Sequence, residues 1–89
     1  MKLLYCKRCG DVVQLQLVGR TCMCGDSRGK YIDIVNVEIS GPCLVLGFSN
    51  EDFFAAVRHP RLKEGGMGVE FLAFIIPESA ISVERIDNK

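Results

Sequence analysis

Two closely spaced pairs of cysteines are the residues of this 89-residue chain whose type and spacing are best suited to chemistry. Two residues separate Cys6 from Cys9, one separates Cys22 from Cys24, and twelve lie between the pairs. Two tight turns brought together can supply four thiolates to a tetrahedral metal site. The pattern therefore predicts one structural Zn²⁺ per chain, bound by all four cysteines.

Two other uses of the same sulfur atoms stay open. A redox-active C-x-x-C pair is expected beside a βαβ pattern, which this sequence lacks. An iron centre is a second alternative, although the short second pair and the absence of other redox features favour zinc. Four bound thiolates leave no coordination position for a reactive water, so we expect a structural site and not a catalytic one.

The fifth cysteine, Cys43, lies in the apolar segment 41–46 and is predicted to be a small core residue. A fifth metal ligand and a reactive thiol are the alternatives. The odd number of cysteines argues against a fully disulfide-bonded secreted domain, and metal-binding thiols need a reducing compartment, so we expect a cytoplasmic protein. Residues 1–5 look too short for a signal peptide, and no apolar run approaches a membrane span, so no membrane association is expected.

The formal net charge is zero but is unevenly distributed. Residues 1–30 carry six cations and two anions, whereas residues 31–89 carry five cations and nine anions. Four thiolates on Zn²⁺ reduce the charge of the first part to about +2. Nucleic-acid binding is therefore not favoured, because it usually needs a stronger basic stripe. Such binding would use the following basic residues: Lys7, Arg8, Arg20, Arg28 and Lys30.

The pattern of apolar residues predicts mostly strands. Between the cysteine pairs, Val13, Leu15 and Leu17 alternate with glutamines, as in a half-buried strand. A glycine follows each pair, and we expect it to allow a tight turn there. Further strands are predicted within residues 30–40, with a bulge near Ile34, and within 43–48, 69–76 and 81–86.

A single helix is predicted over residues 50–59. Ser49 or Asn50 can cap its start, acidic residues occupy its first turn, and Pro60 ends it. Its phenylalanines, together with Phe71 and Phe74, are predicted to be core. The sequence thus predicts an α+β fold, in which a zinc-bound module over residues 1–30 and a small part over 31–89 form one compact domain with a mostly antiparallel sheet.

The segment between the helix and the next strand carries glycines and cations. Because its glycines precede a strand instead of opening a helix, they do not fit a phosphate-binding loop, and we expect a flexible connection. A small anionic ligand such as a nucleotide is the alternative occupant. It would be bound by Arg58, Arg61, Lys63, Gly65 and Gly66. The only histidine, His59, is expected to lie at the helix end or surface.

The succession of strand, knuckle, strand and knuckle over residues 3–25 resembles the zinc-ribbon domains. The resemblance gives Cys6, Cys9, Cys22 and Cys24 the role of metal ligands, although the C-x-C pair departs from the commoner C-x-x-C second knuckle. Zinc ribbons occur in transcription factors, ribosomal proteins, polymerase subunits and protein-interaction modules, so the resemblance does not imply one activity. No catalytic constellation is visible. We expect a non-enzymatic module that binds a protein partner or a second copy of itself, with anion binding and nucleic-acid binding as alternatives.

Overall fold

The computed structural model describes residues 1–58 and 69–86. Over these residues the chain forms eight short strands and one helix. In chain order they are β1 (Lys2–Cys6), β2 (Val12–Gln14), β3 (Arg20–Thr21), β4 (Arg28–Tyr31), β5 (Val37–Ser40), β6 (Cys43–Phe48), α1 (Asn50–Arg58), β7 (Ala73–Ile76) and β8 (Val83–Arg85). At nine residues, α1 is far too short to cross a bilayer, and no described helix is long and apolar enough to do so.

The strands form two four-stranded sheets instead of the single sheet expected from the sequence. The first sheet has the order β2-β1-β6-β7 and the second has the order β3-β4-β5-β8. All neighbouring strands are antiparallel except β5 and β8, which are parallel. The coarse prediction of a mostly antiparallel α+β chain with one short helix is therefore confirmed.

One hydrophobic cluster lies between the sheets. The first sheet contributes Leu4 and Val45, whose side chains alternate with outward-facing neighbours along β1 and β6. The second sheet contributes Val37 and Ile39, which lie on one face of β5. Cys43 is also fully buried in this cluster, which agrees with its prediction as a core residue.

Two predicted strands have different bounds because turns interrupt them. The alternation from Val13 to Leu17 ends early: β2 stops at Gln14, and Leu17 is 70% exposed. The predicted bulge near Ile34 is a hairpin turn between β4 and β5. There the carboxylate of Asp33 accepts hydrogen bonds from the backbone N–H groups of Val35 and Asn36 at 2.8 Å, which also lower the pKa of Asp33.

The prediction that the helix and its phenylalanines belong to the core is wrong. No residue of α1 is buried, Phe54 is 46% exposed, and Phe74 is 47% exposed. Phe53 packs instead against Phe48 and Phe71, with ring centroids 5.0–5.3 Å apart. This aromatic cluster lies outside the main core, because β6 turns the side chain of Phe48 away from it.

Candidate metal centre

The four predicted ligands converge. The sulfur atoms of Cys6, Cys9, Cys22 and Cys24 all lie within 4.8 Å of one another. Cys24 Sγ lies 3.8 Å from Cys6 Sγ and 3.5 Å from Cys22 Sγ. A tetrahedron with metal–sulfur distances of about 2.3 Å separates its sulfur atoms by about 3.8 Å, so the cluster has the size of a tetrahedral thiolate site. None of the five cysteines forms a disulfide.

The two cysteine turns, which we call the knuckles, close in the same way despite their different spacing. In the first, the N–H of Cys6 donates to the carbonyl of Asp11 at 2.9 Å. In the second, the N–H of Cys22 donates to the carbonyl of Ser27 at 3.0 Å. Both bonds join the first cysteine to the residue five positions later. The C-x-C pair therefore keeps the closure of the C-x-x-C pair.

Each knuckle contains a glycine in the left-handed region, as the sequence predicts. Gly10 has a φ of 76° and Gly25 a φ of 83°. Their N–H groups donate to the carbonyls of Cys6 and Cys22 at 2.9 and 3.1 Å. Side chains rarely adopt this backbone conformation, so glycine permits the turn that directs both thiols of a pair to one point.

Backbone N–H groups point at the sulfur atoms and favour their ionised form. Cys9 donates to Cys6 Sγ at 3.5 Å, and Ser27 donates to Cys22 Sγ at 3.4 Å. Burial opposes ionisation of Cys22, but the Ser27 N–H and the sulfur contacts outweigh it and lower its pKa. The pKa of Cys6 is lowered to about 6, first by the Ser27 hydroxyl and then by the Cys9 N–H.

The fourth thiol is held in its protonated form when no cation is present. The N–H of Asp26 lowers the pKa of Cys24, but desolvation and the three neighbouring sulfur atoms outweigh it and raise the pKa to about 12. Four thiolates this close repel one another, and a divalent cation at their centre removes that repulsion. The arrangement of donors therefore fits a metal ion better than four separate thiols.

Ser27 supplies every one of its polar groups to the knuckles. Its side chain is fully buried, and its Oγ forms no hydrogen bond of normal geometry with the described residues. The same hydroxyl lies close enough to Cys6 to be the largest cause of the lowered pKa of that thiol. We interpret it as a donor aimed at the Cys6 sulfur whose hydrogen bond is completed when the thiolate carries a metal ion.

Replacing Ser27 with alanine is therefore expected to weaken Zn²⁺ binding by about tenfold or more, because hydrogen bonds to ligand atoms tune metal affinity by 10–100-fold. The measurement is a competition titration with a chromogenic chelator at fixed pH. Ser82→Ala, outside the knuckles, serves as the matched control and should leave the affinity unchanged. Equal affinities for both variants and the wild type would contradict the assigned role of the Ser27 hydroxyl.

Two contacts tie one knuckle to the other. Arg8, between the first pair of ligands, forms an ion pair with Asp26, which follows the second pair. Asp11 Oδ2 accepts a hydrogen bond of 2.9 Å from the N–H of Met23, between the second pair of ligands. Each knuckle thus contributes one carboxylate to the other, which holds the ligand pairs together from outside the sulfur cluster.

The turn between β5 and β6 lies against both knuckles. The carbonyl of Pro42 accepts a hydrogen bond of 2.8 Å from the N–H of Lys7 in the first knuckle. Gly41, with a φ of 93°, approaches the second knuckle so closely that a Cβ atom there would lie 1.9 Å from the carbonyl oxygen of Asp26. The metal centre is therefore packed directly on residues from the second half of the chain.

Arg85 fixes this turn from the other side. Its guanidinium donates to the carbonyls of Gly41 and Cys43 at 2.6 and 2.7 Å and to Glu78 Oε1 at 2.5 and 2.8 Å. Because β8 pairs with β5 while the turn leads into β6, this one side chain connects both sheets to the base of the metal centre. Charge-assisted bonds of this kind are among the stronger polar contacts.

A cleft of about 640 Å³ lies beside the centre. It is lined by Lys7, Arg8, Asp26, Ser40, Gly41, Pro42, Glu78 and Arg85. Its cations Arg8 and Arg85 are paired with Asp26 and Glu78 respectively. The cleft therefore has no net excess of charge beyond Lys7 that would select an anionic ligand.

The other predicted site residues do not join this centre. Arg58 is exposed at the end of α1. The remaining members of the anion-site prediction, Arg61, Lys63, Gly65 and Gly66, and also His59, lie outside the described residues, so that hypothesis stays a prediction. Among the basic residues of the first part, Lys30 lies 3.5 Å from Glu38, a pairing that reduces the charge available for nucleic acid.

Three residues of the centre were not predicted from the sequence. Ser27 follows the second pair in a polar segment, yet it is buried. No role was predicted for Asp11 or Gly41 either, although an aspartate after a knuckle glycine and a Gly-Pro step were visible signals. A scan against protein-family models finds no match, and searches of curated proteins and of solved structures find no significantly similar protein.

Proposed function

We propose that this chain is a non-enzymatic protein-interaction module of the reducing cytoplasm, in which an N-terminal zinc ribbon binds one structural Zn²⁺ and serves as scaffold. The closed set of four thiolates supports a structural role, since it leaves no position for substrate. The observation that carries the interaction role lies elsewhere, on the first sheet. Its surface facing away from the core is apolar and carries no charge.

This surface, which we call the outer face, follows from the register of the strands. Residues opposite each other in a ladder lie on the same side of a sheet. Leu3 is opposite Gln14 and Leu46, and Leu46 is opposite Ile75. The complete outer face consists of Leu3, Tyr5, Val12, Gln14, Leu44, Leu46, Phe48, Ala73 and Ile75. An antiparallel sheet with a solvated side normally has polar residues there, so this composition indicates a surface that becomes covered.

The outer face is most open on its edge strands β2 and β7, whereas the residues of its central strands are partly exposed. Val12 is 49% exposed and Ile75 is 63% exposed, whereas Phe48 is contacted by Phe53 and Phe71. Four strands about 4.8 Å apart and about five residues long cover roughly 300 Å². The smallest stable interfaces take about 600 Å² from each partner.

Further exposed apolar residues lie close in sequence to Phe53 and Phe71 of the aromatic cluster. Phe54, Val57 and Leu72 are 46%, 61% and 57% exposed. Together with the sheet they bring the apolar surface towards the lower limit of a specific interface. A weak, concentration-dependent complex is therefore expected, with a dissociation constant on the order of micromolar.

A second copy of this chain is the occupant that this surface favours. An uncharged surface offers a foreign partner no charge complementarity, which is the usual source of specificity between different proteins. Two identical apolar sheets can pack face to face about a twofold axis, as in a β-sandwich, without any countercharge. The proposed module thus binds a second copy of itself through the outer face.

Analytical ultracentrifugation over a range of concentrations tests this proposal. The wild type should shift from monomer to dimer as its concentration rises. Leu46→Lys places a charge at the middle of the outer face, between Leu3 and Ile75, and should weaken the dimer by about tenfold or more, because an unpaired buried charge is costly.

Ile34→Lys is the matched control. It makes the same chemical change at a hairpin tip that is 94% exposed and far from the outer face in the chain. It should leave association unchanged. If the wild type stays monomeric at all concentrations, or if both lysine variants associate as the wild type does, self-association through the outer face is wrong.

A further inference from the structure

Cys43 lies directly opposite the metal ligand Cys6 in the ladder between β1 and β6. The N–H of Lys7 donates to the carbonyl of Pro42, while the N–H groups of Cys6 and Cys43 bond elsewhere. This pattern marks Cys6 and Cys43 as a non-hydrogen-bonded pair, in which Cα atoms lie about 4.5 Å apart. Disulfides need Cα separations of about 4.4–6.8 Å, so the strands already hold these residues at bridging distance.

The two side chains share one side of the sheet and one environment. Both are fully buried in the core cluster. Cys43 Sγ donates to the carbonyl of Ser40 at 3.4 Å, so its thiol carries a proton that it can give up. The ladder that positions the pair extends over five register pairs back to Lys2. The pair is therefore already in register in the folded chain, before any ligand is oxidised.

An oxidant can reach this buried pair through the metal centre. Cys24 is exposed, and its sulfur lies 3.8 Å from that of Cys6. Cys6 is thus the one ligand that has an exposed sulfur on one side and a ladder-paired cysteine on the other. The three sulfur atoms form a path from solvent to the core.

We propose that Cys43 is the resolving cysteine of a redox-sensitive metal site, which a hydroperoxide converts into a disulfide between Cys6 and Cys43 with release of the metal ion. The reaction has three steps. The Cys24 thiolate attacks one oxygen of the hydroperoxide, an S–O bond forms, the O–O bond breaks, and the leaving oxygen takes a proton.

Cys6 then attacks the sulfenic sulfur of Cys24. Their S–S bond forms, the S–O bond breaks, and hydroxide leaves and is protonated to water. In the last step Cys43 attacks the Cys6 sulfur, and Cys24 leaves as a thiolate that takes up the Cys43 proton. With hydrogen peroxide, the sum is two thiols and one peroxide giving one disulfide and two waters, a two-electron oxidation. The metal ion does not change its oxidation state.

The reaction therefore switches the cysteine cluster between a state with four metal ligands and a state with three. Oxidation takes Cys6 out of the ligand set and leaves three thiolates, which cannot complete the tetrahedral site. Cys24 is regenerated as a thiol, so one reduction of the cross-strand disulfide by a dithiol restores all four ligands. A Cys43 that only filled the core would not form this disulfide.

Tryptic mapping places Cys6, Cys24 and Cys43 in three different peptides. Cleavage after lysine and arginine places Cys6 in the peptide 3–7, Cys9 in 9–20, Cys22 and Cys24 in 21–28, and Cys43 in 31–58. The zinc-loaded full chain is treated with hydrogen peroxide at one equivalent per chain, quenched with an alkylating agent at successive times, digested without reduction, and analysed by mass spectrometry. A zinc indicator dye follows metal release in parallel.

The linked peptides 3–7 and 21–28 are expected to appear first and then to give way to linked 3–7 and 31–58, with Cys24 again alkylated. Cys43→Ala, which removes no ligand, should stop at the first product, the linked peptides 3–7 and 21–28. If the linkage between 3–7 and 31–58 never forms in the wild type, or if the linked peptides 3–7 and 21–28 disappear in Cys43→Ala as fast as in the wild type, the proposal is overturned.

Discussion

Replacing Cys24 with serine is expected to abolish stoichiometric metal binding and to unfold the chain over at least residues 1–30. The serine hydroxyl is a poor ligand for a soft thiolate site and leaves only three sulfur donors. Cys24 is exposed, so the substitution removes almost no packing from the core. Any large loss of stability must therefore come from the metal.

The expected effect is large because the chain is small. A chain of this length buries only about 60–65% of its unfolded surface, and net stabilities of small domains reach only about 5–15 kcal/mol. Structural zinc contributes apparent binding free energies of about 10–16 kcal/mol in zinc-finger peptides at neutral pH. The strands β2 and β3 contain three and two residues, too few to stay paired by themselves, and both adjoin the knuckles.

Metal content by elemental mass spectrometry and thermal unfolding by circular dichroism check this prediction. Met23→Ser is the matched control, because Met23 lies between the two ligands of the second knuckle and is 84% exposed. It should retain one zinc per chain and its melting temperature. A Cys24→Ser variant that melts like the wild type would show that the thiolate cluster does not hold the fold together.

The convergence of the four cysteines could be predicted from the sequence because its signal is local. Each knuckle is a turn of a few residues, and the cysteine spacing with the following glycine specifies it without reference to the rest of the chain. The start of α1 at Asn50 was equally local, since its cap and acidic first turn are adjacent in sequence. The convergence of the four sulfur atoms and the start of α1 both agree with these predictions.

The arrangement of strands could not be predicted in the same way. Alternation reports which side chains share a face, but it does not say whether the opposite face is covered. The sequence pattern therefore could not identify the outer face of the first sheet as an uncovered surface. Leu44 and Leu46 lie in a continuous apolar run that also contains the buried Val45. The run reads as a fully buried strand, although only half of its side chains point into the core.

Contacts distant in sequence account for the other omissions. The hydroxyl of Ser27 gains its role only when the knuckle after β3 meets the one after β1. Likewise, Arg85 binds carbonyls of Gly41 and Cys43 that are more than forty positions away in the chain. No local pattern encodes such partners.

Gly41 is expected to be the most sensitive residue of the metal centre that is not itself a ligand. A Cβ atom at this position would lie 1.9 Å from the carbonyl oxygen of Asp26 and 2.8 Å from the Cα of Ser27. These are backbone atoms of the second knuckle, so no side chain can turn aside to make room. Gly41→Ala must therefore push the turn between β5 and β6 away from the knuckle or distort the ligand geometry.

The matched control for this substitution is Gly10→Ala. Both glycines have positive φ values, 93° and 76°, but a Cβ at Gly10 would meet no atom within 4 Å. Gly10→Ala should thus lower the stability only by the cost of placing a Cβ atom in the left-handed region, about 1–2 kcal/mol. Gly41→Ala adds an overpacking cost of about 1–3 kcal/mol or more to the same term.

Chemical denaturation of both variants with bound zinc, together with chelator competition, separates these two costs. Gly41→Ala should be the less stable variant by at least about 1 kcal/mol and should also bind zinc more weakly, because the displaced turn no longer supports Asp26 and Ser27. Gly10→Ala should lose stability but keep its zinc affinity, because its four sulfur atoms still converge. If the two alanine variants are equally stable and bind zinc equally well, the turn between β5 and β6 does not support the metal centre. The cysteine cluster would then depend on its own knuckles alone.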